Sequence, residues 1–409
     1  MYIKVSNIHI KLYNLENNIR WMMTIVLICA ISMLTACDCD DNPVKTEDSL
    51  NNRILSVMEE QNAIGAAVVV AKDTSIIYTN TFGYNPDFDH PELRKPIPAD
   101  GVFWLASVTK TFISTAIMQL VEKGMIGLDD DVNNYLSFPI RNPSYPQIPI
   151  TIRMLLSHRS SLTDKQGSRT FANLMTEDKT RYAENFDESR PGDKFVYCNL
   201  GYNILGAIIE GVMHERFDFY IEREILNPLK IEGCFDLTRV NLNKLVRSLN
   251  FDATQKKFVS SASIYDYQKA KDVLIDYQLG VTTGHLVPAG GLKMSAANLA
   301  RFMMVLMKDG ELGGKRILRN ESLEEMYKPQ GEDRNYGLAL TTYTNILINH
   351  SFIGIKGASH GIHSIMVYEP ETKMGFVIIN NGYDTTSLNG ADMNYRLIRI
   401  LYQYFVESQ

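Results

Sequence analysis

After residue 49, the spacing of hydrophobic residues changes along the chain between the pattern of helices and the pattern of strands. Apolar positions three and four residues apart predict a helix over 50–61, and two β-rich runs over 66–71 and 75–83 predict a hairpin. The segment 109–123 again has helical spacing and is followed by Gly124, a residue type that commonly ends helices. The N-terminal part of the domain is therefore predicted to be helix, hairpin and helix.

The rest of the chain first mixes helical and loop signals and then returns to strands. Helices are predicted over 217–226, which Pro228 ends, and over 298–308. The C-terminal part is predicted to contain, in order, strands over 336–343, 362–368 and 375–380 and an amphipathic helix over about 393–406. This order favours one sheet built from both chain ends, with a mainly helical lobe at about 125–285 inserted between them.

The composition is that of an ordinary globular protein. The chain has 409 residues, of which 45% are hydrophobic and 22% charged, values far from those of disordered chains. The formal net charge is −6, and because residues 1–36 carry +2, the remainder carries −8. An acidic body without a run of Lys or Arg argues against a nucleic-acid partner, which would bind a basic face.

A short apolar segment near the N-terminus indicates export. Residues 22–36 are largely apolar and follow Arg20, but they are fewer than the roughly 20 that a membrane-spanning helix needs, which is typical of a signal peptide. The segment ends in Leu-Thr-Ala-Cys at 34–37, which resembles the lipobox of bacterial lipoproteins. The resemblance implies that residues 1–36 are a lipoprotein signal peptide and that Cys37 is lipidated. The protein would then be a membrane-anchored lipoprotein of the bacterial cell envelope, with its domain outside the cytoplasm.

Other readings of this region stay open. The segment before Arg20 is long for a leader, so translation starting at Met22 or Met23 is one alternative, and an uncleaved membrane anchor is another. The polar tract 37–48 is predicted to be a tether between the lipid and the domain. Residues 49–409 are then expected to form the folded domain.

The body of the chain contains two cysteines, Cys198 and Cys234. They form either a single disulfide or two buried free thiols, and the second alternative is favoured. No Cys/His cluster has zinc-binding spacing, and the histidines are scattered along the chain. We therefore expect no metal and no cofactor, while the oligomeric state stays open.

The strongest chemical signal is Ser107 with Lys110, within Phe-Trp-Leu-Ala-Ser-Val-Thr-Lys at 103–110. A serine hydroxyl needs a nearby base to act as a nucleophile at neutral pH, and positions i and i+3 at the start of a helix share one face. The helix N-terminus offers a backbone N–H and a positive dipole to an oxyanion, and a desolvated lysine can lose its proton. The alternative is a capping serine beside a surface lysine, although Ser107 is the only serine followed three residues later by lysine.

Further blocks resemble, in the same order, the motifs of class C β-lactamases, D,D-peptidases and related esterases. The matching blocks are Phe-x-x-Ala-Ser-x-Thr-Lys at 103–110, Gly-x-Ile-x-Leu-Asp-Asp-x-Val-x-x-Tyr-Leu at 124–136, Ile-Thr-Ile-Arg-x-Leu-Leu-x-His-x-Ser-Ser-Leu at 150–162 and Pro-Ala-Gly-Gly-Leu at 288–292. Ser161 stands where the family usually has Gly. The similarity runs from about residue 51 to the C-terminus. It implies a β-lactamase-like fold of the α/β (α+β) class, an antiparallel sheet flanked by helices with an inserted mainly helical lobe.

The second motif of this family, Tyr-x-Asn, corresponds to Tyr197-Cys198-Asn199. Of the three matches to Tyr-x-Asn in the chain, only this one has the family's flanking residues, with Pro-Gly before it at 191–192. The resemblance implies that Tyr197 transfers a proton, together with Lys110, between Ser107 and the leaving group. It also implies that Asn199 binds Lys110 and a substrate amide. An ordinary half-buried tyrosine is the alternative.

The third motif departs from the family. Where relatives have Lys or His in a Gly-His-x-Gly-x or Lys-Thr-Gly pattern, this chain has Ile355, followed by Lys356. Because neighbouring side chains on a strand point to opposite faces, we expect Lys356 to face away from the site. The resemblance implies that Gly357 and Ala358 belong to the substrate site and that the Ala358 N–H completes an oxyanion hole with that of Ser107.

These motifs imply a serine hydrolase that forms an acyl-enzyme on Ser107 and acts on an amide or ester of a small molecule or peptide. A β-lactam, a D-amino-acid peptide and a simple ester all stay open as substrates. Ile355 favours the alternative of a catalytically weakened member that binds peptide or cell-wall fragments. His360 and His363 lie either at the rim of the site or on the ordinary surface.

Overall fold

The computed structural model describes residues 46–88, 90 and 93–407. The chain divides into two units, residues 1–49, of which only 46–49 are described, and residues 50–409, to which the sheet belongs. The predicted signal peptide and Cys37 lie outside the described residues. The predicted tether does too, apart from its end, where a helix already begins at Glu47.

The main sheet joins the two ends of the domain. In chain order the strands are β1 (Gly65–Lys72), β2 (Ser75–Pro86), β3 (Arg94–Pro96), β4 (Val102–Trp104), β5 (Gly233–Cys234), β6 (Leu249–Asp252), β7 (Lys257–Ser260), β8 (Lys293–Ser295), β9 (Glu311–Leu312), β10 (Lys315–Arg316), β11 (Thr341–Tyr343), β12 (Phe352–Ser359), β13 (Ile362–Glu369) and β14 (Met374–Asn380). The described part of the main sheet has the order β11-β12-β13-β14-β1-β2-β3, with antiparallel neighbours throughout. Strand β1, from the N-terminal part of the domain, pairs with β14, from the C-terminal part, so that Ala66 faces Asn380. This pairing joins the two parts of the sheet. The predicted sheet from both chain ends is confirmed.

Helices cover both faces of this sheet. In chain order the helices of the described residues are α1 (Glu47–Glu60), α2 (Lys110–Glu122), α3 (Ile152–Leu156), α4 (Lys179–Ala183), α5 (Asn199–Met213), α6 (Phe217–Ile221), α7 (Asn227–Leu229), α8 (Tyr267–Asp272), α9 (Ala296–Met307), α10 (Asn320–Tyr327) and α11 (Met393–Tyr402). Helices α1, α2, α9 and α11 are the ones that pack on the sheet. Single turns of 3₁₀-helix lie at Ala106–Thr109, Val132–Asn134, Leu237–Arg239, Ala262–Tyr265, Thr283–Leu286 and Ser387–Gly390, and π-helical turns at Glu222–Leu226 and Gln403–Glu407.

Strand β1 shows why the sheet needs two helical layers. Its alternate residues Ala66 and Val68 pack with α1 and α11 on one face, while Ala67 and Val69 pack with α2 and α9 on the other. Because both faces are buried, the strand is a continuous apolar run rather than an alternating one. Between α2 and β8 the chain consists mainly of short helices and loops, and α5 is the longest helix of that part.

Three local predictions need correction. The strand predicted over 336–343 is limited to β11, and Tyr336 forms only an isolated bridge. The helix predicted to end before Pro228 continues through it to Leu229. A π-helical turn precedes Pro228, which lies at the start of the next turn. At that position a backbone N–H would have no hydrogen-bond partner within the helix, so the missing N–H of proline costs nothing. The final helix is regular only to Tyr402.

The two cysteines of the domain are free thiols, as favoured, but only Cys198 is fully buried while Cys234 is partly exposed. In the part of the chain that the structure describes, no helix has the length and apolar character needed to cross a membrane.

Candidate active site

Ser107 lies in the 3₁₀ turn between strand β4 and helix α2. Strand β4 is held by pairing with β8, in which Trp104 faces Lys293. Ala106 has φ of +48°, the left-handed region that non-glycine residues rarely adopt. Such backbone strain occurs often at functional sites. The turn presents the half-buried Ser107 side chain at the start of α2.

The structure brings Ser107, Lys110 and Tyr197 together. Lys110 Nζ lies 3.1 Å from Ser107 Oγ, and Tyr197 Oη lies 2.6 Å from the same oxygen. Lys110 Nζ also donates to Asn199 Oδ1 at 2.8 Å and to the Ala289 carbonyl at 2.7 Å. Since a neutral amine has two protons and one lone pair, it could keep the bonds to Asn199 and Ala289 and direct its lone pair at the serine hydroxyl.

Burial sets the protonation of both groups that contact Ser107. Desolvation of the fully buried Lys110 amine lowers its pKa to about 7, although the nearby Asp164 carboxylate opposes this change. Desolvation of the Tyr197 hydroxyl raises its pKa to about 12. At neutral pH the lysine is therefore partly neutral and the tyrosine keeps its proton.

Asp164 is a residue of this site that the sequence analysis missed. Its carboxylate accepts hydrogen bonds from the backbone N–H groups of Asn199 at 3.0 Å and Leu200 at 2.9 Å, and from Asn199 Nδ2 at 2.8 Å. It therefore caps α5, whose own N-cap residue Cys198 makes no side-chain cap. Because Asp164 binds the Asn199 amide nitrogen, the amide oxygen must face Lys110. One amide N–H is thus used within the protein rather than offered to a substrate.

His158 is a second missed neighbour. Its ring lies under that of Tyr197, with 4.3 Å between centroids, and its Nδ1 accepts from the Cys198 N–H at 3.1 Å. The proton of the neutral ring is then on Nε2, which is buried without a hydrogen-bond partner. Burial and the adjacent Lys110 charge hold the pKa of His158 well below its usual value. His158 thus supports Tyr197 as an uncharged ring.

Gly357 brings strand β12 against the nucleophile turn. A Cβ at this position would lie 2.6 Å from Ser107 N and 2.8 Å from the Leu105 carbonyl oxygen, so no larger residue fits without movement. Ser364 on β13 donates to the same Leu105 carbonyl at 2.7 Å, which ties the turn to the sheet. Ala358 is the next residue on β12 and lines the same pocket.

Residues 355 and 356 have separate environments. Ile355 is 4% exposed and packs in the core between the sheet and α2. The Lys356 amine forms an ion pair with Asp392 at 3.1 Å and lies 4.8 Å from the Tyr395 ring centroid, on the α11 side of the sheet. Ile355 and Lys356 thus belong to opposite faces of the strand, as expected. Lys356 nevertheless lines the same pocket as Ser107, where the ion pair with Asp392 balances its charge.

These residues surround an open pocket of about 660 Å³. His360 and His363 lie at its rim, where His360 stacks on Trp104 and His363 contacts Tyr383. In the described residues, no three His, Cys, Asp or Glu side chains meet in an arrangement that could hold a metal ion. Among the residues of this site, Lys110 and Tyr197 are those whose side chains contact Ser107 Oγ.

Comparisons with known proteins identify relatives of this chain in sequence and in fold. Penicillin-binding protein 4* of Bacillus subtilis strain 168 is 30% identical over 190 residues, which are 43% of this chain and 38% of that protein. The chain therefore spans well under half of that relative. A penicillin-binding protein homologue from Pyrococcus abyssi, described as octameric, has a TM-score of 0.67 at 23% identity, over 88% of this chain and 77% of that one.

The D-amino acid amidase from Ochrobactrum anthropi SV3, solved with D-phenylalanine, has a TM-score of 0.65 at 22% identity, over 88% of this chain and all of the amidase chain. These structural similarities establish the fold, and the predicted α/β (α+β) β-lactamase-like fold is confirmed. The profile of the family described as Beta-lactamase matches residues 50–399. This chain therefore belongs to the beta-lactamase family of serine hydrolases.

Proposed function

We propose that this protein hydrolyses an ester or amide through an acyl-enzyme on Ser107. The observation that carries the proposal is the position of Ser107 Oγ, 3.1 Å from the Lys110 amine and 2.6 Å from the Tyr197 hydroxyl. Neutral Lys110 takes the serine proton as Oγ bonds to the substrate carbonyl carbon. The resulting oxyanion is held by the backbone N–H groups of Ser107 and Ala358.

Collapse of this intermediate breaks the bond to the leaving group. Tyr197 donates its hydroxyl proton to that group and recovers a proton from protonated Lys110. The hydrogen bonds of the Asn199 side chain to Asp164 and to Lys110 hold the Lys110 amine in place during the transfer. Water then attacks the acyl-enzyme by the same steps in reverse, which releases the acid and restores Ser107.

The third motif supports a proposal for the substrate class. An apolar Ile355 in place of Lys or His disfavours burying a carboxylate on the leaving-group side. Relatives and structural neighbours include proteins named as penicillin-binding proteins and a D-amino acid amidase. A neutral leaving group on an ester or amide therefore suits this site better than a penicillin does.

The second candidate function is that of a weakened family member that binds peptide or cell-wall fragments, and Ile355 is the observation that favours it. The test is to treat the domain with a fluorophosphonate and with a penicillin and to locate any added mass. Label on Ser107, absent in Ser107→Ala at unchanged thermal stability, supports the hydrolase. Peptide binding with no label from either reagent favours the binding protein.

We also propose that the domain is anchored in the cell envelope through a lipid on Cys37. The support is the apolar segment 22–36, its end in Leu-Thr-Ala-Cys and the polar residues that follow. Globomycin treatment or Cys37→Ser should leave an unprocessed chain, and radiolabelled palmitate should no longer be incorporated.

A further inference from the structure

A second cavity of about 330 Å³ opens beside the Ser107 pocket. Trp104, Arg169 and Val287 line both, so the two spaces are neighbours separated only by these side chains. The mechanism proposed above uses none of the three. The cavity therefore offers the substrate additional space for which the proposed mechanism has no use.

Strand β12 shows which end of the pocket this cavity adjoins. Its residues rise by about 3.3 Å each, so Ile355 and the last strand residue, Ser359, are separated by roughly 13 Å, with Gly357 at Ser107 between them. His360 follows Ser359 in the turn to β13. His360 stacks on Trp104, which borders the second cavity. The cavity thus adjoins the end of the pocket opposite to Ile355.

The position of Tyr197 assigns these two ends. Its ring contacts His158, which in turn contacts Tyr336. Tyr336 bridges to Thr341, the β11 partner of Gly354 next to Ile355. The ring contacts of Trp104 are with Tyr265 and His360 instead. Because Tyr197 is the proton donor to the leaving group, that group lies at the Tyr197 and Ile355 end. The acyl part of the substrate then points toward Trp104 and the second cavity.

The cavity carries more positive charge than its own carboxylates balance. Arg169 lies at the junction and forms no ion pair with any carboxylate of the described residues. Burial lowers the pKa of both His360 and Lys293, and the Arg169 charge lowers both further. Lys269 also lines the cavity without an ion pair in the described part of the chain.

Lys293 supplies a buried amine at the same place. It is 4% exposed, lies 4.7 Å from the Trp104 ring centroid and donates only to the backbone carbonyls of Phe235 and Gly291. Burial lowers its pKa to about 8, so it keeps much of its charge at neutral pH.

The two carboxylates of the cavity are already engaged. Asp236 pairs with Arg216 at 3.5 Å and accepts from Thr238, and Asp266 caps α8 through the Lys269 N–H at 2.9 Å. Apolar side chains complete the lining, namely Phe235, Leu237, Ile264, Val273, Leu286 and Val287. An apolar floor with unpaired cations at its mouth suits a short chain of methylenes that ends in an anion.

We propose that this second cavity binds the acyl part of the substrate and that this part is a short chain ending in a carboxylate, recognised by Arg169. The proposal rests on the acyl-enzyme function proposed above. It deepens that function by giving the two ends of the substrate opposite character, with a neutral leaving group beside Ile355 and an anionic acyl chain beside Arg169.

The test compares p-nitrophenyl monoesters of succinic, glutaric and adipic acids with the p-nitrophenyl esters of butyric, pentanoic and hexanoic acids, using the full domain. Ser107→Ala supplies the background rate for each ester. We expect kcat/KM for at least one acid to exceed that of its neutral counterpart of equal carbon number by tenfold or more. Arg169→Gln should lower this ratio at least fivefold, and Arg169→Glu should invert it.

The matched control is Arg181→Gln, which removes an exposed arginine of α4 that lines neither cavity. It should leave the ratio unchanged. A ratio near one at all three lengths, with Ser107-dependent turnover of the neutral esters and no effect of Arg169→Gln, would overturn the anionic subsite while leaving the hydrolase intact.

A binding measurement separates the two proposals if no ester is turned over. Calorimetry on Ser107→Ala compares the monoanilide of glutaric acid with the anilide of pentanoic acid. Tighter binding of the acid by tenfold, lost in the Ser107→Ala/Arg169→Gln double variant, would support the subsite even where the hydrolase proposal failed. Equal binding of both anilides would overturn the subsite.

Discussion

Asp164 provides a direct test of how the site controls its base. Its carboxylate lies behind the Asn199 amide, whose two hydrogen bonds of 2.8 Å connect it to Lys110. The negative charge favours the protonated form of Lys110 and so raises the pKa of the amine, against the larger effect of burial. Asp164→Asn removes this charge while keeping an oxygen that can accept from the α5 backbone.

The size of the effect follows from the distance between the charges. The two hydrogen bonds and the amide between them place the Asp164 carboxylate roughly 7 Å from the Lys110 amine, where two unit charges interact by about 2 kcal/mol at an effective dielectric constant of about 20. This corresponds to about one to two pKa units. Loss of the charge lowers the pKa of Lys110, so the neutral base should be populated at lower pH.

The assay is kcat/KM for a neutral p-nitrophenyl ester between pH 4.5 and 9. The wild-type acidic limb should lie near the Lys110 pKa of about 7, with activity rising as pH increases and the amine loses its proton. In Asp164→Asn the limb should move to lower pH by one to two units, according to the same estimate. The plateau should fall because a less basic amine is a weaker general base.

The control variant is Asp178→Asn, which changes the same charge at the exposed N-cap of α4. It should leave the acidic limb in place. An unchanged limb in Asp164→Asn, or one that moved to higher pH in a variant that melts cooperatively, would refute the assignment of Lys110 as the base whose charge Asp164 stabilises.

The other predictions concern the third motif and the N-terminus. Gly357→Ala should lower kcat/KM by about 100-fold, the loss typical of a displaced oxyanion donor, whereas Gly201→Ala, with the nearest atom at 3.6 Å, should not; equal activity of both would contradict the close approach of β12. Wild type should turn over penicillins poorly relative to a neutral short-chain ester, and Ile355→His should raise penicillin turnover selectively by about 10- to 100-fold; faster wild-type cleavage of penicillin than of the ester would disprove this. Cys37→Ser should block lipid labelling, and peptides containing Val26 in the mature membrane form would count against cleavage.

Local sequence patterns were sufficient for the main elements of the sheet and for the nucleophile. The hairpin β1–β2, the strands β13 and β14 and the helix that starts at Lys110 were all predicted from periodicity. Ser107 and Lys110 are three residues apart, so a single helical turn brings them together whatever the rest of the chain does. The contribution of Tyr197 needed family resemblance, because 90 residues separate it from Ser107.

Boundaries were less predictable where tertiary contacts compete with local preference. Residues 336–340 have the apolar pattern of a strand, yet only Thr341–Tyr343 pairs with β12. Ala339 has φ of +81°, which interrupts the extended backbone, and Tyr336 bridges back to Thr341 instead. Pro228 is expected to end a helix, but helical turns continue through it to Leu229, since Pro228 lies at the start of the last turn.

The sequence by itself determined the alternation of helix and strand, the Ser107 and Lys110 pair and the absence of a cation at Ile355. Only the tertiary structure decided that Asp164 orients Asn199, that His158 supports Tyr197 and that Arg169 lies beside a second cavity without an ion pair to any described residue. The physical reason is that these contacts join residues far apart in the chain. Their separation has no relation to the helix or strand repeat, so a periodic pattern in the sequence cannot reveal them. Their pKa values and hydrogen bonds depend on burial, which exists only once the two ends of the chain have formed one sheet.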